Sequence, residues 1–397
     1  QFLEDETDYD MGLVWKSILR TSSLSDVVRC SQLNRVLPRE ILVNSENKNK
    51  LKVGLVYHAY YEDLFDESIS YMQNFPDSGI LVTTNTEEKK KILVDKLRLA
   101  GLNGNVIVIE NRGRDISSLL VGAAEFVFDY DLICFAHDKK STHILPHSVG
   151  RSWAYKINEN MFATKAYVSN IIDMFAKEDR LGIAFPSSPN HSGYAYSIGN
   201  GWKGNFENTE KLLADFGVNV KINKHTLCVA PLGTCFWFKP QALKKLFKGY
   251  NGEGWSYKDF PREPNRADQT ILHAIERAYA YFAQGAGFYP TYLYNDRFVE
   301  IELTNLEYNK TGSSEMRAWT EALALDAVGY KKIEDTFNKP IGEITPAEML
   351  QYHDQSINYG VKHSLRHLAI ALRYKYPRLW CAMLPLRRIA QKFSALT

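Results

Sequence analysis

The stretch Val106–Ser141, VIVIENRGRDISSLLVGAAEFVFDYDLICFAHDKKS, decides how the rest of the chain reads. Its β-branched opening, Val106 to Ile109, meets a polar turn, Asn111-Arg112-Gly113-Arg114-Asp115. Ile116, Leu119, Leu120, Ala123, Ala124 and Val127 then recur at helical spacing and predict an amphipathic helix. A second apolar run, Leu132 to Ala136, stops at His137-Asp138-Lys139-Lys140-Ser141. The unit is strand, helix, strand, and both strands end in charge-dense loops. In open α/β sheets, ligands bind just beyond the carboxyl ends of such strands. Two arginines, two lysines, two aspartates and a histidine at one edge suit an anionic ligand, a sugar nucleotide foremost. Ordinary solvated loop charge is the competing reading of Arg112, Arg114, Lys139 and Lys140.

Outward from this unit the α/β pattern continues. Val53 to His58 reads as a strand, Ala59 to Phe75 as a helix, Gly79 to Thr83 as a strand and Glu87 to Ala100 as a charged helix. Strands alternating with helices predict a mostly parallel, doubly wound sheet. Polar residues after the first strands, His58, Tyr60 and Asn85 among them, join the same rim. Further on, Trp153–Asn158 and Thr164–Phe175 read as helices, Leu181–Phe185 as a strand, and 187–207 as a long polar loop. Val229–Phe238 reads as a strong strand, Arg266–Ala283 as a helix, and Ala286–Tyr294 as an edge strand. Residues 1–50 are expected to be a helical and linker segment joining something upstream. Residues 51–304 then form the main domain, and 305–397 a helical C-terminal region.

Composition sets bounds. The 397 residues are 45% hydrophobic and 24% charged, ordinary for a globular protein. The 23 tyrosines are many, and tyrosine offers a flat face with a hydroxyl, useful against sugars and bases. Five widely spaced cysteines without a C-x-x-C pair predict buried thiols in a reducing compartment. No apolar run approaches the roughly 18 residues that span a bilayer, and no signal-peptide pattern opens the sequence. Its first residue, Gln1, reads as the start of a portion of a longer polypeptide. After Asp354 there is no acidic residue, and Lys362, Arg366, Arg373 and five further basic residues follow. Residues 363–393 therefore read either as a basic amphipathic helix lying on an anionic membrane surface or as a helix packed on the body. A nucleic-acid partner is not expected, because acids interleave the basic rim.

Six motifs in order, Val56-Tyr57-His58-Ala59-Tyr60-Tyr61, Thr83-Thr84-Asn85-Thr86, Asn111 to Asp115, His137 to Ser141, Gly233 to Phe238 and His273-Ala274-Ile275-Glu276-Arg277, resemble the rhamnan synthesis protein F family. The similarity covers about 51–296. It implies a GT-A-like glycosyltransferase fold and a nucleotide-activated sugar donor, typically dTDP-L-rhamnose. A lipid-linked glycan acceptor and a place at the cytoplasmic face of the membrane are implied as well. The expected donor-binding residues are His58, Tyr60, Asn85, Asn111, Arg112, Arg114, Asp115, His137, Asp138, Lys139 and Trp237.

Where such enzymes carry an Asp-x-Asp for Mg²⁺ or Mn²⁺, this chain has His137-Asp138-Lys139, so only Asp138 would ligate a metal. Lys139 with Arg112 or Arg114 is expected to neutralise the leaving diphosphate without one. An inverting transfer needs a carboxylate base. Asp268 is the first choice, with Glu263 and Glu276 as alternates, Glu276 reading equally as a structural ion pair with Arg277. His273 is expected on a different part of the same helix from Asp268 and reads equally as structural or catalytic. Asp268 reads equally as a helix-opening residue favourable to the macrodipole, and Asp115 equally as a helix cap. A catalytically silent glycan-binding or assembly subunit on the same fold is the competing functional class.

Overall fold

The computed structural model describes residues 6–43, 51–75, 79–140, 147–190, 201–264 and 268–312. All of them belong to one compact unit, Gln1–Met316. The basic stretch 363–393 and the expected helical region from 313 onward lie outside the described residues.

Twelve helices and eight strands are described, and the strands form one sheet. The helices are α1 (Met11–Thr21), α2 (Leu24–Cys30), α3 (Phe65–Met72), α4 (Glu87–Leu99), α5 (Arg114–Ser117), α6 (Ala124–Val127), α7 (His147–Phe162), α8 (Lys165–Lys177), α9 (Phe206–Asp215), α10 (Pro240–Phe247), α11 (Ile271–Gly285) and α12 (Asp296–Gly312). The strands are β1 (Asn34–Leu37), β2 (Val53–His58), β3 (Gly79–Thr84), β4 (Gly104–Val108), β5 (Leu132–His137), β6 (Leu181–Pro186), β7 (Phe236–Phe238) and β8 (Tyr289–Asn295). Their order is β1-β8-β6-β7-β5-β2-β3-β4. Only β7 runs against its neighbours. The expected mostly parallel α/β sheet flanked by helices is therefore present. Every residue of β2 and of β6 is buried, as strands covered on both faces must be.

Local chemistry explains the elements. Thr86 caps α4 by accepting from Lys89 N–H, with Glu87 and Glu88 in the first turn and Lys96 and Arg98 in the last. Thr164 caps α8 in the same way through Tyr167 N–H, and Pro240 opens α10 where no N–H is needed. From Ala278 to Ala283, α11 is buried on every side, the mark of a central helix. The helix after Arg114 widens at Ser118–Gly122 into a π turn, closed by Ala123 N–H donating to the Ser118 carbonyl at 2.9 Å.

Four expectations change. Among residues 6–43, Leu19, Leu24, Val27 and Val28 are in the core, and β1 pairs with β8 as the true edge strand; the expected linker at 44–50 lies outside the described residues. Gln284 Nε2 donates to the carbonyls of Leu19 and Ser22, tying α1 and α2 to α11. The apolar run Val229–Phe238 is a strand only at its end, because Pro231 lacks an N–H and Gly233 and Thr234 take positive φ of 96° and 54°. The helix expected from Arg266 starts at Ile271, so Asp268 precedes it.

Trp237 is a further correction. It is 0% exposed, stacks on Phe75 with ring centroids 5.3 Å apart, and donates Nε1–H to the Met161 carbonyl at 3.0 Å. It belongs to the core and cannot flank a donor. Trp237→Ala is expected to cost about 3–5 kcal/mol of unfolding free energy. Chemical denaturation measures this, and a loss below about 1 kcal/mol would contradict the packing.

Candidate active site

The carboxyl ends of β2, β3 and β5 share one rim, and His58 and His137 stand in register there. The two histidines sit in opposite charge states. His58 Nδ1 lies 2.8 Å from Thr83 Oγ1, which lies 2.7 Å from Ser118 Oγ in the π turn. Burial drives the His58 pKa down to about 4, although Asp115 opposes the shift, so this ring is neutral. His137 has Nδ1 2.7 Å from the Asp138 carbonyl and Nε2 2.8 Å from the Gly233 carbonyl. Carbonyl oxygens only accept, so both nitrogens must carry protons and the ring is an imidazolium. Burial works against that charge, but the Cys235 sulfur and Asp115 carboxylate raise the pKa to about 10. Asp115 Oδ2 lies 4.0 Å from Nε2.

The Gly233 turn carries the rim across to α11. Gly233 N–H donates to Glu276 Oε1 at 2.7 Å, and Glu276 Oε2 lies 3.0 Å from Arg277 Nη1. Buried Arg277 donates from Nε to the Gly201 carbonyl at 2.8 Å and from Nη1 to the His273 carbonyl at 3.0 Å. His273 Nδ1 is 2.9 Å from Thr270 Oγ1, and its Nε2 is 4.0 Å from Asp268 Oδ1. Sequence spacing alone had set His273 and Asp268 apart; because the helix begins late, they meet. Asp268 accepts from Asn205 Nδ2 and Gln269 N–H, both at 2.8 Å. Burial opposes its charge, yet these donors hold its pKa below the ordinary carboxylate range.

The cations are placed differently from the expected grip. Arg112 donates from Nε to the Phe260 carbonyl at 2.6 Å and from Nη2 to the Lys258 carbonyl at 2.8 Å. It pins the 258–262 segment. Arg114 follows Gly113, where φ is 88° and an added Cβ would come within 2.8 Å of Phe260. Its own φ is 53°, and its guanidinium forks onto Glu263 at 2.7 and 3.3 Å. Lys139 lies 3.5 Å above the Trp153 ring, and burial lowers its pKa although the Glu276 charge works the other way. The two arginines and Lys139 therefore do not form one convergent cluster.

Asp138 Oδ2 accepts Tyr61 N–H at 2.6 Å, and burial raises its pKa to about 6. Lys89 lies 4.4 Å from the Tyr60 ring and donates to the Tyr60 carbonyl. Nothing in the charged run of α4 singled Lys89 out in the sequence. Asn111 is exposed.

Buried polar atoms without a hydrogen-bond partner among the described residues include Thr84 Oγ1, Asn85 Oδ1, Asn205 Oδ1 and the Tyr279 hydroxyl. Such atoms are rare in folded proteins. Thr84 ends β3 and Asn85 follows it, and the Tyr279 hydroxyl feels the Asp115 and Glu276 charges on top of its burial. No sequence signal marked Tyr279, one apolar-looking helix position among many.

A hard dication takes roughly six oxygen ligands. Asp138 offers one carboxylate, already accepting an N–H, and no group of three or more His, Cys, Asp or Glu stands together among the described residues. The side chains at the rim do not fit a dedicated Mg²⁺ or Mn²⁺ cage. No described helix is long and apolar enough to cross a membrane.

Comparison with known proteins adds lineage. Residues 1–288 match the profile described as Rhamnan synthesis protein F. Two curated relatives, each named Uncharacterized protein WxcX, come from two strains of Xanthomonas campestris pv. campestris. They are 26% identical over 225 residues, which is 56% of this chain but 30% of theirs. Among solved structures, glucosyl-3-phosphoglycerate synthase from Mycobacterium tuberculosis, bound to Mn²⁺, uridine diphosphate and glucosyl-3-phosphoglycerate, is 10% identical. The match covers 65% of this chain and 77% of that one at a TM-score of 0.29, too loose a superposition to build on.

The His137 imidazolium has a thermodynamic signature. Its folded pKa of about 10 lies above the unfolded value of about 6.5, so its stabilisation is complete below pH about 6.5 and is lost as pH rises through about 10. The stability difference between wild type and His137→Asn, measured by denaturant titration, is expected to shrink across that window. A difference constant with pH would mean that the ring is neutral.

Proposed function

The chain belongs to the rhamnan synthesis protein F family, and on that premise we propose that it is a glycosyltransferase of surface-polysaccharide synthesis, moving a sugar from a nucleotide donor to a glycan. The donor is dTDP-L-rhamnose, the acceptor lipid-linked, and the transfer inverting. The observation that carries this reading is the rim where Asp115, the His137 imidazolium, the Gly233 turn and Glu276 are wired together at the carboxyl edge of a parallel sheet. That is where open α/β sheets bind ligands.

The nucleoside lies toward β2 and β3, where Thr84 and Asn85 supply unpartnered polar atoms beside neutral His58. Positive charge for the leaving diphosphate comes from the His137 imidazolium and from Arg114, which exchanges Glu263 for phosphate oxygens. Asp268, ionised and within reach of His273, takes the proton from the acceptor hydroxyl as the new glycosidic bond forms and the nucleoside diphosphate leaves. Glu263, once released by Arg114, is the alternate base. Residues 363–393 bring the enzyme to an anionic inner-leaflet surface.

Thermal shift with a panel of sugar nucleotides tests the donor, since a ligand of the folded state raises the melting temperature. dTDP-L-rhamnose is expected to give the largest rise. Asp268→Asn should abolish most turnover, about a hundredfold or more, and keep that rise. No turnover by wild type, together with an Asp268→Asn variant that supports polysaccharide synthesis in vivo as well as wild type, would point to a non-catalytic glycan-binding or assembly subunit. Turnover is expected to survive EDTA; a loss restored by Mn²⁺ would overturn the assignment of the diphosphate charge to side chains.

A further inference from the structure

On the face of the sheet opposite His58, a cavity of about 240 Å³ opens between α3, α7 and the end of β5. Successive strand residues point to opposite faces. His58 turns toward Thr83 and Ser118, whereas Tyr57 turns to α3, its hydroxyl 2.6 Å from Ser68 Oγ. The cavity is therefore distinct from the rim described above, although Asp138 and Lys139 wall it at one end.

Its lining has a particular chemistry. Two cations, Lys139 and Arg151, face two carboxylates, Glu67 and Asp138. Arg151 makes no ion pair with a described residue. The ring nitrogens of His137, also at the wall, are spent on carbonyls. A balanced lining does not select a net charge, as a phosphate site would. Asn158 and Ser68 add amide and hydroxyl groups, and half-exposed Tyr155 adds an aromatic face at the mouth. The volume is below the roughly 300 Å³ at which sites for whole drug-sized ligands begin. It suits one ring that presents donors and acceptors all round and carries no charge.

We propose that this cavity is a monosaccharide site that holds a single neutral pyranose unit of the glycan partner, apart from the nucleotide-sugar rim. The inference deepens the transferase reading by giving the glycan a place, but the lining argument stands without transfer. The desolvated Asp138 carboxylate, with its pKa raised to about 6, accepts from a sugar hydroxyl there, and Arg151 donates to another.

Saturation-transfer NMR on the full chain tests it, with methyl α-L-rhamnopyranoside and methyl α-D-glucopyranoside as probes and potassium phosphate as competitor. At least one pyranoside is expected to bind, with phosphate failing to displace it. Ala154→Leu, which fills the cavity, and Asn158→Ala, which removes a polar partner without filling it, should each weaken binding about tenfold or more. Both variants should keep the thermal shift given by the nucleotide-sugar donor. Melting curves check folding, and Asn158→Ala carries the test if Ala154→Leu is unstable. No pyranoside binding to wild type, displacement by phosphate, or unchanged binding in the folded variants would overturn the site. Loss of the donor shift alone would count against the transferase reading and leave this site intact.

Discussion

The Gly233 turn is the joint on which the two halves of the rim depend. Its carbonyl accepts from the His137 imidazolium and its N–H donates to the Glu276 carboxylate, so one peptide segment hangs between a partly buried cation and a partly buried anion. Each partner is costly to bury alone, and each becomes tolerable because the other charge and a backbone dipole lie close. The positive φ at Gly233 and Thr234 turns the chain so that β7 can enter antiparallel between β5 and β6. Break the joint, and both the reversed strand and the approach of α11 to the strand ends lose their support.

Charge at this rim is mostly spoken for. Arg112 is engaged with carbonyls, Arg114 with Glu263, Lys139 with the Trp153 ring, and Asp138 with Tyr61 N–H. A ligand that recruits Arg114 must displace a forked carboxylate, so binding of an anion and liberation of Glu263 are coupled events. Such exchange favours ligands able to offer at least as good a planar pair of oxygens, which a phosphate does and a neutral sugar does not.

Much of the fold was legible because periodicity reports burial. β2, β5 and the helix after Asp115 announced themselves through unbroken or helical apolar spacing, and the mostly parallel sheet followed from their alternation. Local composition could not reveal what depends on distant contacts. Short β1 looked like linker because its strand character comes from pairing with β8 across the chain. Val229–Phe238 looked like one strand because hydrophobicity does not register a left-handed turn. At the site, residue types were readable and partners were not. His137 and Asp138 stood out in sequence, but only geometry separates a charged histidine from the neutral His58 beside it. Trp237 drew attention as an aromatic near a motif and turned out to be interior packing.

The short strand β1 has a consequence for handling the molecule. It covers the open flank of β8, whose backbone groups would otherwise face water in a row. A version trimmed to begin at Leu51, the boundary that hydropathy alone recommends, would strip away that cover together with the apolar seats of Leu19, Leu24 and Val28. What remained would present a sticky ribbon edge inviting self-association. Residues 6–43 thus serve as the sheet's hem, and expression work should retain them.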